Sequence, residues 1–238
     1  MELAAGSGAL VVAAAAIGVV HTLLGPDHYV PFIALARSRS WSLRRTLGVT
    51  ALCGAGHVVG SIALGALGVA FGWALSGLVK IEAWRGTIAG WLLLGVGLAY
   101  TAWGIRRALR NRPHEHLHAH DEGVVHEHGH DHHGAHAHPH LGTAGKWLGP
   151  WSVFIVFVLG PCEPLVPILI YPAAWGSWLD VAAVAGVFAA ATLGTMLALV
   201  AGGTLGLARI PAARFERWSH ALAGAALVLC GAAVTLGL

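Results

Sequence analysis

Residues 20–32 read VHTLLGPDHYVPF, and the fold turns on how His21, Asp27 and His28 come to stand in otherwise apolar sequence. An ionised group in hydrocarbon is expensive, so intramembrane His and Asp are functional candidates by default. Proline lacks a backbone donor and collides with the preceding turn, which makes Gly25-Pro26 a natural helix break. Length agrees: residues 8–35 as one straight helix would extend about 42 Å, well past a hydrocarbon core of roughly 30 Å. Unwound backbone at that depth is tolerated only against protein or a wet cavity.

Working outward, the surroundings are those of a membrane protein. The chain has 238 residues, 56% hydrophobic and 11% charged, where a soluble domain carries about a quarter charged residues. Six candidate spans follow, at about 8–35, 47–74, 86–105, 149–172, 180–206 and 217–238. The opening MELAAGSGALVV has no basic stretch and reads as a first span rather than a cleaved leader. Arg37, Arg39, Arg44, Arg45, Arg106, Arg107, Arg110, Arg112, Lys146, Arg209, Arg214 and Arg217 fall in alternate connections. Only Lys80 and Arg85 fall on the opposite side. The positive-inside rule then puts both termini outside and the three basic connections in the cytoplasm of a prokaryotic-type inner membrane.

Of the acidic residues, only Asp27 and Glu163 lie deep in apolar sequence, and no Arg or Lys does. LGPDHYVP (24–31) and LGPCEPLVP (159–167) match at both ends, an offset of about 135 that also pairs Trp84 with Trp218, Gly90 with Gly224, Gly97 with Gly231 and Thr101 with Thr235. Three spans per half is an odd number, so the halves must lie inverted. The expected fold is an all-α membrane protein of six helices in a 3+3 inverted repeat, with helices 1 and 4 broken at Gly-Pro, as in many secondary transporters. Residues 1–110 form the first repeat, 111–146 a connecting loop and 147–238 the second.

Two imidazoles and a carboxylate make a first set of ligands for a divalent transition metal. His57, in CGAGHVVGS among small residues that permit close helix approach, adds a third intramembrane imidazole. Cys162 aligns with Asp27 and Glu163 with His28, which extends the candidate set into the second half. His220, near a span end, reads as a hydrogen-bonded helix–helix contact. The loop HEHLHAHDEGVVHEHGHDHHGAHAHPH (114–140) places His114, His116, His118, His120, His126, His128, His130, His132, His133, His136, His138 and His140 among acidic residues. Such a tract binds Ni²⁺, Cu²⁺, Zn²⁺ or Co²⁺ with little discrimination, and has too little apolar content to fold without metal. On the cytoplasmic side it would collect or buffer internal metal.

His21, Asp27 and His28 resemble the H-x4-D-H signature of nickel/cobalt transporters, and AGHVVGS resembles that group's second histidine motif. LGPCEPLVP is similar to the proline-rich segment of its second half, and the related exporters carry a His-rich cytoplasmic loop. The spacing here is H-x5-D-H, one residue longer, which in a continuous helix turns His21 by about 100°. The resemblance implies transport of Ni²⁺ or Co²⁺, with Zn²⁺ a third candidate, export being favoured over import and protons the expected coupling ion. The chain reads as no enzyme, with no cofactor of its own. Its partners are lipid and metal, with a second copy open and nucleic acid not expected. Three alternatives stay open: transport of an anion such as sulfite, metal delivery to a maturation system, and a thiol electron carrier. The last resembles the GPC…P segment but needs a reactive cysteine in each half, and Asp27 stands where the first would be.

Overall fold

The structure is a computed structural model, and it describes residues 2–71, 75–110, 114–119, 125–130, 150–160, 162, 164–174, 177–209 and 216–237. Apart from one two-stranded hairpin, the described elements are helices. Helix α1 (Glu2–Leu24) stops one residue before Gly25-Pro26, where the Thr22 carbonyl meets a residue with no N–H to give. A 3₁₀ turn (Pro26–His28) follows, then α2 (Val30–Ser38), and the chain bends by 85° between the two helices. Next come α3 (Leu43–Ala70) and α4 (Leu75–Arg110). The hairpin, β1 (His114–Ala119) and β2 (Val125–His130), sets His114 opposite His130, His116 opposite His128 and His118 opposite His126. In the second half α5 (Pro150–Leu159) and α6 (Leu165–Ala174) flank the second Gly-Pro motif, followed by α7 (Trp178–Ala208) and α8 (Ser219–Leu236).

Four of the described helices are long and apolar enough to cross a membrane, Leu43–Gly68 of α3 and the whole of α4, α7 and α8; the bent α1–α2 pair makes a fifth. Helices α5 and α6, at 10 residues each, are too short to cross singly. Large apolar side chains face outward, Trp91 at 62% exposure and Leu229 at 70% among them. So large an apolar exterior fits contact with lipid.

The helix expected to start near residue 86 starts at Leu75 instead. Its extra turns hold Glu82, fully buried, and Arg85, whose side chain is 16% exposed. Three residues apart on one helix, they pair with each other and need no water. This corrects two expectations: Glu82 is a further acidic residue within the apolar helices, fully buried where Asp27 is only partly so, and Arg85 is not a loop residue.

Helices α4 and α8 touch backbone to backbone. A methyl group on Gly104 would strike Ala221, one on Gly97 would strike Val228, and one on Gly90 would strike Thr235. Each step of seven residues along α4 is thus met by seven residues backward along α8, so the two helices run antiparallel. From the other side Gly224 faces Thr101 and Gly231 faces Leu94. Helices α1 and α7 approach closely at Gly18, which lies against Phe188, Ala191 and Thr192.

Candidate metal site

The first break closes with its own residues. The backbone N–H of His28 reaches the Gly25 carbonyl at 3.1 Å, and Tyr29 N–H reaches Pro26 at 3.3 Å. His28 Nδ1 lies 3.1 Å from the same Gly25 oxygen and 3.2 Å from Asp27 Oδ1. A carbonyl oxygen only accepts, so Nδ1 carries the proton and Nε2 is left with a lone pair. The Tyr29 hydroxyl reaches back to the Leu23 carbonyl at 3.5 Å.

The second break draws most of its side-chain partners from outside. In a helix the Phe157 carbonyl would be met by residue 161 and the Gly160 carbonyl by residue 164, and both are prolines. The Phe157 carbonyl accepts the Gly160 N–H at 3.1 Å and, from outside the segment, His57 Nδ1 at 3.2 Å. Arg85 Nη2 donates to the Val158 and Gly160 carbonyls at 2.9 and 3.3 Å. The Cys162 N–H, which a continuing helix would give to Val158, goes to Glu82 Oε2 at 3.2 Å. Like His28, His57 is held with its proton on Nδ1.

These contacts bring the histidines of α1, the first break and α3 together. Ring centres of His21 and His28 are 4.7 Å apart, those of His28 and His57 5.2 Å, and those of His21 and His57 6.4 Å. His28 and His57 are 3% exposed, and Cys162 is fully buried. One ligand atom each from His21, His57 and Cys162 lie within 4.8 Å of one another. Donors around a single tetrahedral ion stand about 3.5 Å apart, so a closure of about 1 Å would suffice. Among the described residues, the buried side-chain nitrogens and oxygens without a partner are the Nε2 atoms of His21, His28 and His57 and the hydroxyls of Thr192 and Thr204. Unmet buried polar atoms are rare, and three imidazole nitrogens together ask for a ligand. An Nδ1–H held on a carbonyl or carboxylate with Nε2 open is the usual arrangement of a metal-binding histidine.

Compared with known proteins, the chain matches no family model, no curated protein and no solved structure.

Of the residues expected from sequence, His21, His28, His57 and Cys162 thus converge, and Asp27 joins them through His28. Glu163 lies outside the described residues, as do His120, His132, His133, His136, His138 and His140. His114, His116, His118, His126, His128 and His130 are placed by backbone only, in the hairpin. His220 Nδ1 shares a hydrogen bond of 2.9 Å with the Tyr100 hydroxyl, the helix–helix contact expected of it. Glu82 and Arg85 were not among the expected site residues. Their signal is an acid and a base three apart at the foot of an apolar helix, a spacing that lets charges pair and enter the protein.

Proposed function

We propose that this chain is a membrane transporter of divalent transition-metal cations of the nickel/cobalt kind. The observation that carries the reading is the set of partnerless imidazole nitrogens on His21, His28 and His57, two of which, on His21 and His57, lie within ligand reach of the Cys162 thiol. Nitrogen and sulfur donors favour borderline metals over Mg²⁺ or Ca²⁺. Charge agrees as well: a divalent ion with the Asp27 carboxylate and a Cys162 thiolate sums to zero, which limits the cost of a buried ion. Binding would release the thiol proton, and protons arriving from outside would compete the metal off.

The architecture we propose is six spans in a 3+3 inverted repeat, the α5–α6 pair counting as one broken span. The α4–α8 contacts support it. Gly90 faces Thr235 and Gly224 faces Thr101; shifting the first pair by 134 residues (90 to 224, 101 to 235) gives the second with its members exchanged. Gly97 with Val228 and Gly231 with Leu94 exchange in the same way. An internal two-fold axis produces such swapped pairs, and transporters built this way bind their cargo where two broken helices meet. Both termini lie outside in this scheme, and the histidine loop faces the cytoplasm, where it concentrates metal for export.

An anion site would require positive charge facing it. The guanidinium at the second break, that of Arg85, is neutralised by Glu82 and engaged on backbone carbonyls. The three cysteines are free thiols, and those within ligand reach of Cys162 are imidazoles rather than a second thiol. Metal flux into proteoliposomes tests the proposal, with Ni²⁺, Co²⁺, Zn²⁺ and Mn²⁺ compared for the intact protein and for His21→Ala. Nickel or cobalt flux that falls to background in the variant supports it. Equal flux in both, or none of any metal in the intact protein, overturns it.

A further inference from the structure

We infer that the buried Glu82–Arg85 pair is a positioning device for Cys162, substituting for the helix hydrogen bonds removed by Pro161 and Pro164 and so holding the thiol within ligand reach of His21 and His57. The inference rests on the reading of that cluster as a metal site. A buried ion pair is a poor source of stability, because desolvation consumes most of the attraction. Here its polar atoms are bound to backbone. Glu82 gives one oxygen to Arg85 and the other to the Cys162 N–H. Arg85 gives one nitrogen to Glu82, and the other to the carbonyls of Val158 and Gly160. Nη1 also reaches the Ser61 hydroxyl at 3.4 Å, which ties the pair to α3. A broken helix leaves both acceptors and donors unmet. An acid and a base side by side satisfy both kinds with no net charge, which neither residue does alone.

The geometry also explains why the base is arginine. Reaching two carbonyls from one nitrogen while the other holds a carboxylate requires a planar fork of fixed spacing. An ammonium is a single point charge and cannot span them. Removing the pair would strip the Val158 and Gly160 carbonyls and the Cys162 N–H of their side-chain partners, and loosen the sulfur with them. The histidines, held by Phe157 and by the first break, would stay in place. A loss confined to sulfur separates positioning from general support.

Cobalt reports on this directly. A thiolate ligand gives Co²⁺ an intense near-ultraviolet charge-transfer band, whereas imidazole ligands do not, so the cysteine-free loop is silent in it. The full chain in detergent is titrated with Co²⁺ as wild type, Cys162→Ser, Arg85→Met, Arg85→Lys and the exchanged pair Glu82→Arg/Arg85→Glu. That exchange keeps a neutral pair on α4 but offers the wrong group to the Cys162 N–H, so it carries the test if Arg85→Met fails to fold. The expected result is a band in the wild type that vanishes in Cys162→Ser. In Arg85→Met and the exchanged pair the band should need about 10–100-fold more Co²⁺, with the imidazole visible bands retained and Arg85→Lys giving little rescue. A band unchanged in the Arg85 variants overturns the inference and leaves the metal site standing. No band in the wild type also overturns it, and the flux of His21→Ala then decides separately whether the histidines carry metal.

Discussion

The two Gly-Pro breaks share a sequence motif and differ in what completes them. At the first, His28 and Tyr29 supply the donors from within four residues of Gly25, and the turn is held by its own side chains. At the second, His57, Glu82 and Arg85 arrive from two helices of the other half. The difference follows from proline number. One proline in LGPDH orphans one carbonyl, whereas LGPCEP spaces two so that helix bonds from Phe157 and Gly160 are both lost. A locally closed turn keeps its shape when its neighbours move. A turn closed from afar keeps its shape only while they stay.

The largest test of that contrast is Glu82→Ala, which strands a buried guanidinium and frees the Cys162 N–H. It should cost about 3–5 kcal/mol, read from unfolding in mixed detergent, and Glu82→Ala/Arg85→Met should recover much of the loss. A cost below about 1 kcal/mol would mean that the second break does not depend on the pair.

Next in size is a comparison of two histidines. His57→Ala removes a ligand and the bond that ties α3 to the Phe157 carbonyl, which keeps only the Gly160 N–H, so transport should fall to background and stability drop by about 1 kcal/mol. His28→Ala should abolish transport with a smaller loss of stability, because the His28 ring bonds within its own turn whereas the His57 ring joins α3 to α5. Equal thermal shifts for the two would erase the distinction between a local and a remote closure.

Asp27→Asn keeps the size of the side chain and removes its charge. Cobalt or nickel affinity should fall about 10–100-fold through the loosened His28 ring, with unfolding nearly unchanged, as isothermal titration beside thermal melts would show. The smallest effect is expected of Tyr29→Phe, since its bond to Leu23 is long at 3.5 Å and worth about 0.5 kcal/mol or less. A loss larger than that of His57→Ala would reverse the order of the two breaks.

Much of this site was readable in the sequence because proline and intramembrane charge act locally. Gly25-Pro26 ends a helix whatever surrounds it, and His21, Asp27, His28 and His57 stand out against alanine, valine and leucine. Glu82 and Arg85 escaped for the opposite reason. In a hydropathy profile a neutralised pair looks the same as two solvated charges, so LVKIEAWRG reads as a connection. What draws the pair inward is the unmet backbone of a segment some 75 residues away, a tertiary fact without a local trace. The alignment with Asp27 put Cys162 among the candidates, whereas the ligand atoms the structure sets near its sulfur, those of His21 and His57, come from elsewhere in the first half.

The glycine seam between α4 and α8 limits how any of this can move. Where a glycine meets backbone first, at Gly97, Gly104, Gly224 and Gly231, little side chain stands between the helices to change rotamer and accommodate a small displacement. Packed contacts of this kind have discrete arrangements rather than a continuum. The pair therefore travels as one rod, and because Glu82 and Arg85 ride on α4, the anchors of the second break travel with it. A cross-link between α4 and α8 should then be harmless to transport, while one between α4 and α5 should stop it.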